Sequence, residues 1–182
     1  MHRILLLILV TVLLSGCAGM KFNAFGIDVG EMRDTAKAGD YGKLALGIGA
    51  SFTTHVVGHY LAAEVFDVDI EQEGLNEVID YSNDPSQGDV QWVARGGFIL
   101  QLAVNTALVE LWGDSYFTKG YTAFTSVELL TYSLRHPDDG DFNLIDKSGG
   151  NGSLEYFLYS SWAAYNFCRI SISKEEQTCI DD

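Results

Sequence analysis

Proline and basic residues are scarce in this chain. Only 2 prolines occur in 182 residues, so long stretches can stay helical without interruption. Lysine and arginine number 11 against 25 aspartates and glutamates, a net charge of −14. Such a balance repels nucleic acid and anionic lipid headgroups, which argues against a nucleic-acid partner. The 3 cysteines are too few for a disulfide-built fold or a zinc site made of cysteine alone. No phosphate loop is present. Gly47-Ile48-Gly49 and Gly149-Gly150-Asn151-Gly152 both lack the Lys-Ser/Thr ending. There is no internal repeat and no low-complexity tract. Past residue 14, no stretch reaches the roughly 18 uncharged apolar residues of a clean spanning helix.

The N-terminus reads as an address. Met1-His2-Arg3 is basic, Ile4 to Leu14 is apolar, and Leu14-Ser15-Gly16-Cys17 closes with small residues before a cysteine. A run this short reads as a signal peptide rather than a spanning helix. Its last four residues resemble the lipobox of bacterial lipoproteins. That resemblance implies cleavage before Cys17 and acylation of Cys17. Ala18 after the cysteine implies sorting to the outer membrane, facing the periplasm. An uncleaved N-terminal anchor is the alternative. Lipid on Cys17 would hold the protein on a membrane without any spanning helix. The expected layout is a signal peptide over 1–16, an acylated cysteine and tether over 17–42, and a helical domain over 43–182. Loss of Arg3 takes the mature charge to −15. In an oxidising compartment Cys168 and Cys179 can pair across a small C-terminal loop.

The body of the chain predicts a mainly all-α domain of about four helices. The spans are Leu44–Phe66, Trp92–Trp112, Tyr116–Arg135 and Leu154–Phe167, the last with Ser153 as N-cap. Small residues on the first, including Gly47, Ala50, Gly58 and Ala62, let another helix approach closely. Gly113-Asp114-Ser115 stops the second. Asp67–Gln72 alternates as a short strand does, and Leu75–Tyr81 suits one or two helical turns. His136 to Gly152 reads as a loop, and the tail from Arg169 is polar. The aromatics from Tyr156 to Phe167 suit core packing, with a partner-binding face as the alternative.

His55 and His59 lie four residues apart, so they share one face of the first helix. Two imidazoles at that spacing can hold one metal ion, most often zinc. A third ligand would come from the acidic turn His136-Pro137-Asp138-Asp139-Gly140-Asp141. The competing reading makes the two histidines buried polar residues satisfied by hydrogen bonds. A working zinc hydrolase carries Glu directly after the first His, as general base. Val56 stands there. Glu64 turns away from the histidine face. Glu128 is the remaining candidate base, in a polar stripe with Tyr121, Thr125, Tyr132 and Arg135 that faces either the site or solvent. Ser153 and Cys168 have no histidine near in sequence, so nothing suggests a triad.

His55-Val56-Val57-Gly58-His59-Tyr60-Leu61-Ala62-Ala63 resembles the first motif of the site-2 protease family of zinc peptidases. Leu134-Arg135-His136-Pro137-Asp138-Asp139-Gly140 is similar to that family's second motif. Asp139 takes the position of its third ligand, with His136 or Asp141 as substitutes. Ala94-Arg95-Gly96-Gly97-Phe98 and Asn105 match its glycine-led apolar helix. The resemblance implies membrane-embedded helices and a zinc site that has lost its base. Composition instead favours a water-soluble helical domain held by lipid, because each long helix carries polar or ionisable groups. The leading expectation is an envelope lipoprotein with a His55/His59/Asp139 zinc site and no peptidase activity. The rivals are an active zinc hydrolase using Glu128, and a metal-free scaffold that contacts an envelope protein.

Overall fold

A computed structural model describes residues 37–73, 76–113, 115–135 and 140–178. Among these residues the chain is mainly α: five helices and one two-stranded antiparallel pair. The expected signal peptide, Cys17, the expected tether up to residue 36, His136, Asp139 and Cys179 lie outside them.

Helix α1 spans Ala38–Phe66, starting earlier than its apolar pattern suggested. The Asp40 carboxylate accepts from the Lys37 N–H at 3.0 Å and caps the start, so residues 38–42, expected to belong to a tether, are helical despite Gly39 and Gly42. Asp67 ends the helix in the left-handed region, with φ at 55°. Strands β1, Ile70–Glu73, and β2, Asn76–Ile79, then pair with Ile70 opposite Ile79. This corrects the helical turns expected over Leu75–Tyr81. Ile79 is buried while Val78 is exposed, the alternation of a half-covered strand. Ile79 packs with Val68, Ala63, Val90 and Val93.

Helix α2 spans Gln87–Trp112 and opens on Ser86, whose hydroxyl accepts from the Asp89 N–H. Gly113 closes it, as the stop signal required. Helix α3 spans Tyr116–Arg135. Helix α4, Asp141–Lys147, falls inside the stretch read as loop. Its two buried residues, Phe142 and Ile145, are one turn apart, too short a pattern to stand out between aspartates and glycines. Helix α5 spans Gly152–Thr178. Its cap is Asn151, which accepts from the Leu154 N–H at 3.0 Å, so Ser153 is already inside the helix.

α1 and α2 run antiparallel: Phe66 stacks on Trp92, and Ser51 meets Gln101. α3 runs alongside α1 in the same direction, with Thr125 at Ser51 and Glu128 at His55. α5 closes the bundle against α2 and α3. A Cβ on Gly58 would strike the Gly96 backbone, so the α1–α2 crossing exists only because both positions are glycine. The main apolar core lies on the opposite side of α2. Phe98, Leu102, Leu129, Phe142, Ile145 and Ala163 fill it, with Tyr132, Tyr156, Tyr159 and Trp162 around them.

Candidate metal centre

His55 and His59 are both buried, and their rings converge. Gly97 makes room for them, since a Cβ there would run into His59 Nε2. The two Nε2 atoms stand 3.0 Å apart. Asp141, at the start of α4, brings one carboxylate oxygen to 3.3 Å from His55 Nε2 and the other to 3.5 Å from His59 Nε2. A tetrahedral ion with ligands at about 2.0–2.1 Å places neighbouring ligand atoms about 3.3 Å apart. The three separations bracket that edge. His55, His59 and Asp141 thus form a group able to hold a metal ion.

Each of the three is oriented from behind. His59 Nδ1 lies 2.8 Å from the Val93 carbonyl, so it carries the hydrogen and leaves Nε2 with a lone pair. His55 Nδ1 faces Gln101 Oε1 at 3.4 Å. The Gln101 amide then donates to Glu128 at 2.7 Å and to Ser51 Oγ at 3.0 Å. Ser51 donates to Thr125 at 2.9 Å, and Thr125 donates to the Tyr121 carbonyl at 3.1 Å. This one-way chain fixes which side of Gln101 meets His55, and so sets the His55 tautomer to match His59. Tyr132 donates to Asp141 at 3.1 Å. The result is two lone pairs and a carboxylate pointed at one spot, an arrangement that calls for a cation or a shared proton. Burial pushes the Asp141 carboxyl up and the His55 imidazole down, but the attraction between them outweighs it. Asp141 is held below the usual carboxylate range and His55, with Glu128 also near, is raised to about 9, so without an ion His55 carries the shared proton. The donor set, two nitrogens and one carboxylate, is one that first-row divalent ions accept.

Of the site residues read from sequence, His55 and His59 meet as their spacing required. Asp141 supplies the third group. Glu128 also reaches the cluster, 3.8 Å from His55 Nδ1, the ring nitrogen turned away from the other two ligands. The stripe of Tyr121, Thr125, Glu128 and Tyr132 faces inward rather than to solvent. Cys168 is half-buried on α5. Sequence reasoning missed Gly97 and Gln101 as parts of the site. A signal existed, because both fall one turn apart on the face of α2 that carries Ala94 and Val90. No protein-family model, curated protein or solved structure matches the chain.

Proposed function

We propose that this chain is an envelope lipoprotein that binds a zinc-class divalent ion through His55, His59 and Asp141, and that it is not a peptidase. The observation that carries this reading is the convergence of three acceptor atoms at a tetrahedral edge length, each ligand backed by its own hydrogen-bond partner. Bound zinc would supply Lewis acidity or simple cross-linking, and the residues around it favour the second. Val56 stands where a proton acceptor is needed. Glu128 is held by Gln101 behind His55, where it buttresses the ring. The chain's own groups thus orient three ligands and exclude water, and His55 and Asp141 tie α1 to α4. The lipid on Cys17 is part of this reading and rests on the N-terminal pattern alone.

Metal content of protein purified from membranes without chelator tests it. The expected result is one zinc per chain in wild type and none in His59→Ala. Wild type free of metal after zinc-replete growth would overturn the reading and leave a shared proton in the cluster. The rival hydrolase reading draws on the fact that three ligands leave a fourth position open and that one more carboxylate lies close. Peptide cleavage by wild type, lost in Glu128→Gln with zinc retained, would favour it.

A further inference from the structure

Beside their apolar core, the four long helices of this bundle enclose many polar groups and turn apolar groups outward. Seven of the eleven largest fully buried side chains are polar: Gln101, Asn105, Asn166, Thr118, Thr122, Thr125 and Ser51. The outward faces are the reverse. Phe52 and Leu61 on α1, Ile99 on α2, Leu130 on α3 and Leu158 on α5 are all exposed. Residues 44–63, 96–109, 120–134 and 156–168 contain a single Asp, Glu, Lys or Arg, and that one is Glu128, turned into the site. A protein of charge −14 covers its wet surfaces with carboxylates, yet none is placed here.

The four sections also lie at one level. Gly120 packs at Leu44, Gly58 at Gly96, and Trp162 reaches Thr106. Ion pairs bound the slab on α2 and α5, Arg95 with Glu155 at one edge and Glu110 with Arg169 at the other. Just beyond them sit Trp92 and Trp112, 47 % and 60 % exposed. Fifteen residues of α2, about 22 Å, separate the two ion pairs, and twenty, about 30 Å, separate the tryptophans. The bilayer hydrocarbon's thickness is thus matched between the indoles, with the ion pairs just inside them. Indoles favour that depth on both sides. Three exposed hydroxyls inside the slab bond to their own helix: Thr53 to the Gly49 carbonyl, Thr131 to Val127 and Ser161 to Phe157. Water is not needed to satisfy them.

From these observations we infer that the outward faces of α1, α2, α3 and α5 sit in the hydrocarbon of a lipid bilayer, with the metal centre enclosed at membrane depth. Contacts close the ring α1–α2–α5–α3, and every outward side is apolar, so a covering that surrounds the bundle fits better than one flat protein partner. The expected lipid on Cys17 places the chain at such a surface already. This replaces the water-soluble domain expected from composition. Polar residues on each helix argued for water when counted along the sequence, but the fold turns them toward one another. The inference stands whether or not the site holds an ion.

Nitroxide side chains tell lipid, water and protein contact apart. The full chain carrying Cys168→Ser and Cys179→Ser, with Phe52, Ile99, Leu130 or Ser82 replaced by cysteine and spin-labelled, is reconstituted in phosphatidylethanolamine/phosphatidylglycerol vesicles. At positions 52, 99 and 130 we expect frequent collision with oxygen and loss of collision with a water-soluble nickel chelate, and the reverse at 82. Nickel reaching the first three positions would overturn the inference in favour of a wet surface. Exclusion of both reagents there would overturn it in favour of a second copy or another protein.

Discussion

Toward α1, helix α2 offers Gly96, Gly97 and Gln101; toward α4 and α5 it offers Phe98, Leu102 and Arg95. On the first side, between Gly96 and Gln101, two backbones nearly touch and the polar side chains beside them are joined by hydrogen bonds with fixed direction. On the second, rings stack: Phe98 lies 5.2 Å from Phe142 and 5.9 Å from Tyr159, centroid to centroid. The apolar side can absorb a change of shape, because side chains repack. The glycine side cannot, because what would be displaced is backbone. His55 and His59 sit on the side that cannot yield, while Asp141 starts α4 and is carried by Phe142 on the side that can, so the third ligand is the one free to adjust. Phe98 joins the two sides, meeting the His55 ring edge-on at 4.6 Å.

The sharpest way to break this comparison is to fill the crossing. Gly58→Val sets a branched carbon against the Gly96 backbone and should cost about 3 kcal/mol or more, with loss of zinc. Thermal unfolding followed by helix circular dichroism in detergent reads the cost. If the variant melts like wild type, the crossing is not tight. Next comes the apolar side. Phe98→Ala removes the ring shared by four aromatic neighbours and should cost about 3–5 kcal/mol, while Phe98→Leu should recover most of it. Equal losses in both variants would show that ring geometry, not buried area, holds that side together.

How much of this was legible beforehand differs along the chain for physical reasons. A four-residue spacing fixes a helix face, so the pairing of His55 and His59 could be read directly. The third ligand could be narrowed only to an acidic turn. Which carboxylate points inward depends on where α4 begins, and a helix of seven residues leaves too weak a periodic trace to find. Tyr116–Arg135 matched its pattern to the residue, because Gly113 stops the preceding helix and Ser115 accepts from the Thr118 N–H at its start. The role of Gln101 was hidden, since a polar residue on an apolar helix looks alike whether it meets solvent, a neighbour or an imidazole. The outward turn of the apolar groups was hidden too, because it concerns which way each residue faces and not which residues are present.

The hydrogen-bond chain behind His55 separates two smaller effects. Gln101→Leu leaves Glu128 and Ser51 without their donor and removes the acceptor at His55 Nδ1. Zinc affinity should fall about 10–100-fold, as it does when an outer partner of a metal-bound histidine is lost. Competition against a chromogenic chelator measures it. An unchanged affinity would mean that Gln101 does not set the tautomer.

Ser51→Ala should be the mildest change. Gln101 keeps Glu128 and the Ser51 carbonyl as acceptors, and Thr125 keeps the Tyr121 carbonyl. Two neutral hydrogen bonds are lost but no donor is left unpaired, so the cost should be about 1–2 kcal/mol in unfolding, with zinc affinity nearly that of wild type. The pair of variants then tells whether orientation of His55 comes from Gln101 alone or from the chain as a unit. If Ser51→Ala weakens zinc as much as Gln101→Leu does, the chain is cooperative, and the tautomer of His55 is set as far away as Thr125 on α3.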